Sequence, residues 1–564
     1  MKTSPARRLC LLLIAYPLFL TAQERDLTTL TGTASVEELD EDEYERLESL
    51  RAAPVRINTA SLAQLQSCGL FTRFQALSLT DYRTRNGDIL SPAELGLVDG
   101  FSPDRVQALT PFLSFFSRNR PGQAGQEQLH QDLVARGEYR NGAFGYAVKY
   151  RMAKDERGAL ALTARSSARE KPGAPDTWSF QATKYLRRRT GKILLGDYNA
   201  RFGQGLALWN GFSMSGLTTA ENFARHPTGL SPAWSFSPDA PLRGVAGDLT
   251  LRGWSLSAAA VFPGLRARMD GNPKAQVSAF GAGNASWTGR KAEFSVTALW
   301  GPEQNGQASK LAADFRWTPG AAGVFGEWAW DLRNQRLAAV GGLTWSPAYQ
   351  KKLSVLIRHY PVGFDADLTG GVRAGSRCSG ESGVAAGLRL PWIRFTADYA
   401  RFPARDLAQT RLLCLLPLIL PQGWNLTPRV SLRWRNGILR EEYRLETLWD
   451  DSPWQVKIRG DLVRCSGTSW LAYAEGGRKT ERWRIYARAG IFKIDEWDDR
   501  IYVYERDVPG CFHVPAYYGR GVNASLVGGA RWRRHTLSLR IGGIRYVTDK
   551  PGRFECRMQY SWSR

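Results

Sequence analysis

The chain has 564 residues, and 76 lysines and arginines against 53 acidic residues give a formal net charge of +23. After residue 23 no apolar run is long enough for a membrane-spanning helix, because about 20 such residues are needed to cross the hydrocarbon layer. The longest, 412–420, is short and contains Pro417. The seven cysteines are scattered singly, which excludes a disulfide-rich scaffold and a zinc finger or ribbon.

The first 23 residues have the pattern of a secretion signal. Lys2, Arg7 and Arg8 precede the apolar run Leu9–Leu20, and small residues follow near Ala22. A run this short does not span a bilayer, so we expect it to be cleaved after export. Residues 1–23 are therefore set aside from the fold, and the mature protein is expected outside the cytoplasm.

The charge of the chain changes sign along its length. Residues 24–53 carry a net −7, residues 54–113 carry zero, and residues 114–564 carry +27. Within the acidic segment, four aliphatic residues recur between carboxylates, which predicts a short amphipathic helix over 36–50. A solvated linker with no chemical role is the alternative. The four aliphatic residues are Val36, Leu39, Leu47 and Leu50.

Residues 54–116 contain four signals for the start of a helix. Each is a serine or threonine whose side chain can accept a hydrogen bond from the amides of the first turn, and three of them precede a Gln or Glu by three residues. Gly69 and Gly100 each fall between the two members of a pair, where a tight turn needs positive φ. The four starts are at Ser61, Thr72, Ser91 and Ser102.

This pattern resembles the tandem helix-hairpin-helix domain of bacterial competence DNA receptors. The matching stretches are Ile57–Ser61, Leu65–Gly69, Asp81–Gly87 and Val98–Phe101. The resemblance implies that hairpin amides and the N-terminus of the following helix contact DNA phosphates. The DNA-binding residues implied in this way are Gly69, Leu70, Phe71, Thr72, Arg73, Arg83, Arg85, Gly100, Phe101, Ser102 and Arg105.

The module also departs from that family. The hairpins of the family usually read Gly-x-Gly, whereas Phe71 and Ser102 stand at the second glycine positions here. The module has no net positive charge to attract a polyanion. A helical module that binds protein instead of DNA is therefore the alternative.

After a linker over 117–136, residues 137–564 change to a period of two. In 483–491, for example, Trp483, Ile485 and Ile491 alternate with Arg484 and Arg488. Such segments of about ten residues recur between turns, with Trp and Tyr at their ends. This is typical of an outer-membrane β-barrel, and we expect a mainly β chain with about 20–26 antiparallel transmembrane strands. A soluble propeller or sandwich is the alternative, although no blade-length repeat is present.

The barrel is expected to have a basic lumen. Alternation places arginines and lysines opposite the apolar face, where they would attract anions or pair with acids inside a closed lumen. The basic residues expected to face the lumen are Arg429, Arg433, Lys457, Arg459, Arg484, Arg488 and Arg540.

The most distinctive part of this region is GDYNARFGQGLALWNGF, residues 196–212. Together with the helical module, it resembles exported helix-hairpin-helix barrel proteins of Bacteroidota-type Gram-negative bacteria, whose function is generally unassigned. Gly203–Gly205 lacks the Lys-Ser/Thr of a phosphate-binding loop, so a strand bend or an inward-folded loop is the simpler interpretation.

No pattern for catalysis, a metal or a cofactor stands out, and we expect a protein that is not an enzyme. Cys511 and His513 are a weak metal pair, and Cys378, Cys465 and Cys511 are candidates for one or two disulfides. His359 or His535 could sit at the bilayer edge as in a barrel lipid hydrolase, but no acid or marked serine accompanies them, so both are expected to cap strands there.

Two functions remain open from the sequence. In the first, an outer-membrane barrel with a periplasmic helix-hairpin-helix module binds or passes DNA or another polyanion. In the second, the barrel is structural or associated with secretion, and its acidic segment and helical module bind a periplasmic protein. Outer-membrane lipid is the partner common to both.

Overall fold

The computed structural model describes residues 27–28, 30–39, 41–117, 129–154, 157–171, 173–186, 190–211, 219–236, 242–251, 253–262, 279–301, 309–547 and 550–564. The predicted secretion signal lies outside these residues. No helix among the residues described has the length and apolarity needed to cross a membrane.

Five α-helices of the N-terminal region lie wholly within the residues described. The four hairpin helices begin where the sequence predicts, because the side chain of each capping residue accepts a hydrogen bond from the amide three residues later. Ser61 and Thr72 also form reciprocal capping boxes with Gln64 and Gln75. The helices are α1 (Glu41–Ala52), α2 (Leu62–Ser67), α3 (Arg73–Asn86), α4 (Pro92–Leu95) and α5 (Pro103–Leu109).

Tight turns shape each helical pair, and two hydrogen bonds between Asn58 and Ile89 join the pairs into one module. Gly69 and Gly100 have φ of +72° and +87°, as the tight hairpin turns require. The Asn58 amide donates to the Ile89 carbonyl at 2.8 Å and accepts from the Ile89 amide at 2.8 Å. The acidic segment covers the same core through α1, whose Leu47 is buried. The helix occupies Glu41–Ala52, whereas Val36–Glu38 forms a 3-10 turn within the stretch for which the sequence predicted one helix.

The rest of the described chain forms a closed barrel of 24 antiparallel strands, and the predicted fold class is confirmed. The last strand closes on the first, with Leu133 paired to Trp562. The strands are β1 (Leu129–Arg140), β2 (Ala143–Lys154), β3 (Gly158–Arg169), β4 (Thr177–Leu186), β5 (Thr190–Arg201), β6 (Leu242–Leu251), β7 (Trp254–Val261), β8 (Phe280–Thr288), β9 (Ala292–Trp300), β10 (Lys310–Trp317), β11 (Ala322–Asp331), β12 (Arg336–Ala348), β13 (Lys351–Tyr360), β14 (Glu381–Leu390), β15 (Ile393–Phe402), β16 (Leu407–Leu415), β17 (Trp424–Arg435), β18 (Ile438–Asp451), β19 (Trp454–Arg464), β20 (Thr468–Lys479), β21 (Trp483–Ile494), β22 (Gly519–Trp532), β23 (His535–Tyr546) and β24 (Arg553–Ser563).

The alternation along the strands separates an apolar outer face from a polar inner face. In β21, Trp483, Ile485 and Ile491 are exposed on the outside, whereas Arg488 is buried inside. Tryptophans at strand ends, such as Trp300, are about half exposed. An apolar band with aromatic residues at its edges is the surface that lipid requires. The first strand begins at Leu129, within the stretch expected to be a linker.

The two ends of the barrel differ. At the end where the chain enters β1 and leaves β24, most connections have two to four residues; at the other end lie the long connections 202–241, 262–279, 361–380 and 495–518. We call residues 495–518 the strap. Buried apolar residues of the first, third and fourth of these connections pack inside the barrel, so the core of the protein lies within the lumen.

The cysteines in the described part of the chain are free thiols. The candidate disulfides among Cys378, Cys465 and Cys511 are therefore not formed. Cys378 and Cys511 are buried, and burial raises the pKa of the Cys511 thiol to about 12.

Candidate functional site

The helical module lies inside the barrel and contacts its wall on several sides. Lys149 of β2 forms an ion pair with Glu45 of α1 at 2.6 Å. Farther around the wall, Arg389 of β14 lies 3.7 Å from Asp104 of α5. Further contacts reach β7, β8, β9, β17 and β19. The sequence suggested a periplasmic module outside the barrel. In the structure the module and the acidic segment before it fill the lumen, where inward-facing polar residues of the wall match their surface; we call these residues, up to 116, the plug.

The N-terminus of α3 is the position at which the resemblance implies a DNA phosphate. In the structure the Phe74 amide, in the first turn of α3, donates to a carboxylate oxygen of Glu293 at 3.2 Å. A helix N-terminus favours an anion because its first amides have no partner within the helix. The wall of the barrel therefore supplies the anion, and Glu293 of β9 stands where a phosphate would bind.

Arg73 precedes that amide and points into the wall. Its guanidinium donates to the Asn284 side chain at 2.9 Å and to Ser257 at 3.1 Å, and also to Ser286. Burial lowers the pKa of Arg73, and nearby wall carboxylates, including that of Glu293, oppose the change. Arg73, which the resemblance implies as a DNA contact, is therefore a docking contact between the plug and strands β7 and β8.

The turn of the first hairpin is covered by other parts of the plug. Leu70 and Phe71 are buried, and the Phe71 ring packs against Phe101 with centroids 5.9 Å apart. Arg105 donates to the Leu70 carbonyl at 2.7 Å, and burial lowers the pKa of Arg105 to about 10. A side chain at Gly69 would meet Arg46, which donates to the Cys68 carbonyl at 3.1 Å. This turn offers no open approach for a duplex.

The second hairpin faces outward only in part. Gly100 and Ser102 are exposed, whereas Phe101 is buried. The Ser102 hydroxyl and the Thr72 hydroxyl both cap their own helices. Asp104 accepts a hydrogen bond from the Gln350 amide at 3.0 Å, in the short turn between β12 and β13. The second hairpin therefore also contacts the wall, through its own helix.

Two further arginines of the implied DNA-binding set have structural partners. Arg83 donates to the carbonyls of Ile57 and Ala60 at 2.8 and 2.7 Å, which ties α3 to the first segment of the module. Arg85 is exposed and pairs with Asp81 at 3.0 Å on the same helix. The set implied by the resemblance is thus divided between the core of the plug, its contact with the wall and its exposed end.

The acidic segment pairs with the basic part of the wall. Glu38 lies 3.2 Å from Arg429, and Glu37 pairs with Arg459 and lies 3.6 Å from Arg444. Burial alone would raise the pKa of Glu37, but the two guanidiniums outweigh it and hold the pKa of Glu37 well below its usual value. The segment that the sequence left open as a solvated linker is a docking segment.

Most of the basic residues expected in the lumen are buried in ion pairs. Lys457 lies 3.2 Å from Glu446, and Arg488 lies 2.6 Å from Glu475. Arg540 contacts Glu555 at 3.2 Å, and Arg459 contacts Asp461 at 2.6 Å. Arg484 is partly exposed and Arg433 is exposed, both on the inner face near strand ends. Most of these lumenal cations are therefore paired with acids of the wall or of the acidic segment.

The segment 203–207 is an inward-folded loop, as the simpler interpretation of Gly203–Gly205 held. Its backbone amides at Gln204, Leu206 and Ala207 surround the carboxylate of Glu327 in β11, at 2.6, 3.1 and 3.2 Å. Gly203 has φ of +59°, and a Cβ there would lie 2.8 Å from that carboxylate. Successive amides of this kind form a nest for an acidic group, and here the wall supplies that group.

Sequence reasoning missed the part of the strap that meets the plug. Tyr504 of the strap hydrogen-bonds the Tyr44 hydroxyl at 2.8 Å, and Phe512 lies 5.2 Å from the Tyr44 ring. The strap thus joins the core of the plug from the opposite end of the barrel. The aromatic residues of this long loop were visible in the sequence, but they do not reveal their partner.

The histidines were the remaining candidates for chemistry. His359 and Ser382 face outward and hydrogen-bond at 2.8 Å, and His535 bonds the Tyr560 hydroxyl at 2.8 Å. Within the described ranges, the hydrogen bond of the His359 ring is to the Ser382 hydroxyl and not to a carboxylate. His513 is buried 3.5 Å from Glu555, and no group of three or more potential metal ligands occurs among the residues described.

A family model for the helix-hairpin-helix motif matches residues 51–114, and no curated protein matches the chain. The chain is similar to the translocation pore of the P pilus usher PapC, with 11% identity over 77% of this chain and 99% of that one and a TM-score of 0.37. It is also similar to OccK7 (OpdD) of Pseudomonas aeruginosa, with 8% identity over 78% and 99% and a TM-score of 0.30. The similarity to Acinetobacter baumannii OccAB3 has 9% identity over 78% and 99% and a TM-score of 0.29. These similarities concern the fold alone.

Proposed function

We propose that this protein is an outer-membrane channel that its own helix-hairpin-helix module keeps closed. The observation that carries the proposal is the plug itself. A 24-stranded barrel is wide enough for a lumen that must be filled or left open to water. Here the module contacts strands on several sides of the wall, and inward-folded connections meet it from the other end.

The difference between the two ends of the barrel supports an orientation in the membrane. In barrels of this kind the short turns face the periplasm and the long loops face outward. The plug enters from the end with the short turns, so its exposed tip is assigned to the periplasm. The side chain of Leu97, at this tip, is 73% exposed.

In the docked state the plug is not a DNA receptor. The Glu293 carboxylate accepts the hydrogen bond of the Phe74 amide at the N-terminus of α3, Arg73 is buried against the wall, and Phe71 is in the core of the plug. A polyanion such as DNA would instead meet the basic wall once the plug has moved. The role of the module in passage is therefore that of a gate, and any binding of DNA to it requires undocking.

The exposed tip favours a second function for the same module. Leu90 and Leu97 are 48% and 73% exposed, and the module also exposes the charges of Asp81 and Arg85. A periplasmic protein that bound this tip could withdraw the plug or use the barrel as an anchor. This agrees with the alternative of a secretion-associated barrel.

Single-channel recording tests the gate. The full chain in a planar bilayer is expected to conduct rarely, and a variant without residues 24–116 is expected to conduct steadily. Fluorescent duplex DNA titrated against the full chain at low salt is expected not to bind the docked module. A full chain that conducts as well as the deletion variant would rule out the gate. If the deletion variant does not fold, the Glu45 variants described below provide the same test in the complete protein.

A further inference from the structure

A cavity lies between the acidic segment of the plug and strands β15–β19. It has a volume of about 170 Å³, several times the roughly 30 Å³ that one water occupies in the liquid. The apolar residues Leu418 and Ile419 lie at its end nearest the short turns. The charged residues that line it are Arg394, Arg429, Arg444, Lys457, Arg506, Glu37 and Glu446.

Cations outnumber carboxylates in this lining by five to two. Several are engaged in ion pairs, so the cavity is not a set of bare charges. Arg444 lies 2.7 Å from Asp461, and Lys457 lies 3.2 Å from Glu446. Arg429 and Arg506 are also paired, with Glu38 and Glu475 outside the lining. The excess is therefore one of cationic donors that face the cavity, and such donors suit an anion.

The plug supplies part of the balancing negative charge. Glu37 lies 3.6 Å from Arg444, and Glu38 lies 3.2 Å from Arg429. These two guanidiniums also line the cavity. An anion in the cavity would therefore compete with Glu37 and Glu38 for the same donors. Arginine suits such an exchange because its planar fork pairs equally with carboxylate and phosphate oxygens.

We infer that the cavity is a binding site for a compact anion of two or more charges, and that this anion and the acidic segment exclude each other. The inference rests on the proposed gate and gives it a ligand. Because the coupling is reciprocal, an anion that binds better after the segment leaves must also favour release of the plug. Glu37 and Glu38 thus act as internal substitutes for the anion.

The experiment uses the full chain in detergent and titrates it with sodium tripolyphosphate and, separately, with sodium citrate by calorimetry. The two probes tell a phosphate chain from a polycarboxylate, and binding of either one supports the site. The Arg429→Gln/Lys457→Gln variant is expected to bind at least about fivefold more weakly, because even a solvent-exposed ion pair can have an effect of that size. The Glu37→Gln/Glu38→Gln variant is expected to bind about fivefold more tightly.

The two variants are expected to change the affinity for the probe in opposite directions, which a purely structural role of these residues would not produce. A matched control, Asp81→Asn/Asp99→Asn, removes the same charge from the exposed tip of the plug and is expected to bind like the unmodified chain. The inference is overturned if neither probe binds the Glu37→Gln/Glu38→Gln variant at low salt, or if that variant binds no more tightly than the control. Failure of the gate would show differently, as steady conductance of the unmodified chain.

Discussion

The ion pair between Glu45 and Lys149 offers the sharpest test of how the plug is held. The two charged atoms lie 2.6 Å apart, and the side chains are only 7% and 11% exposed. The second carboxylate oxygen of Glu45 accepts from the Phe236 amide at 2.9 Å. The Glu45→Gln variant keeps the shape of this side chain but leaves a buried ammonium group without its counter-charge.

Breaking a buried pair in this way costs about 3 kcal/mol at the lower end of what is measured. Since about 1.4 kcal/mol corresponds to a factor of ten, the ratio of undocked to docked plug should rise about 150-fold. In single-channel recordings of the full chain, this appears as a rise in the ratio of open to closed time. Comparison with Asp99→Asn, on the exposed tip, controls for the lost charge.

A second variant separates the missing charge from loss of packing. Replacing both partners, Glu45→Met with Lys149→Met, removes the buried charge altogether, and apolar replacement of a buried pair is often neutral. The double variant should therefore close nearly as well as the unmodified chain. If Glu45→Gln opens no more often than Asp99→Asn, the pair does not hold the plug and the reasoning is refuted.

Three further outcomes are expected. Arg459 helps to hold the pKa of Glu37 below 4.5 in the folded protein. The contribution of Glu37 to docking is therefore complete above pH 4.5 and is lost as the pH falls through the lower folded pKa, so open time should rise only in strong acid. A rise in open time between about pH 7 and 5 would contradict this. Gly203→Ala combines a positive φ with a steric clash and should destabilise the protein by more than the roughly 1 kcal/mol expected for Gly142→Ala, where φ is positive but space is open; equal shifts in denaturant midpoint would contradict this. Leu97→Asp should leave folding and closure unchanged, whereas capture of a periplasmic protein by the full chain should fall; unchanged capture would exclude the tip as a docking surface.

Local patterns determined the elements of this fold. The hydroxyls of Ser61 and Thr72 indicated where their helices begin, because a cap acts on amides within three residues. The alternation of apolar and polar residues after Trp483 indicated a strand, because successive side chains of a strand point to opposite faces. Such signals depend on neighbours along the chain, so the sequence alone carries them.

The resemblance to DNA-binding modules identified the fold of the N-terminal region but not what it touches. Phe71 departs from the usual glycine, and it lies in the core of the plug against Phe101. That departure, Ser102 at the second such position and the zero net charge were the signs in the sequence against DNA binding. Neither points to Glu293, which is 219 residues from its partner Phe74.

The placement of the module inside the barrel was decided by tertiary structure. A run of carboxylates such as that around Glu37 is equally compatible with a solvated linker, a partner protein or an internal wall. The hairpin of β18 and β19 places Arg444 and Arg459 side by side, but only the position of the acidic segment inside the barrel brings Glu37 to them and buries the pairs. Caps and alternation act over a few residues, whereas docking depends on charges that meet across hundreds of residues, and no local pattern records which charges will meet.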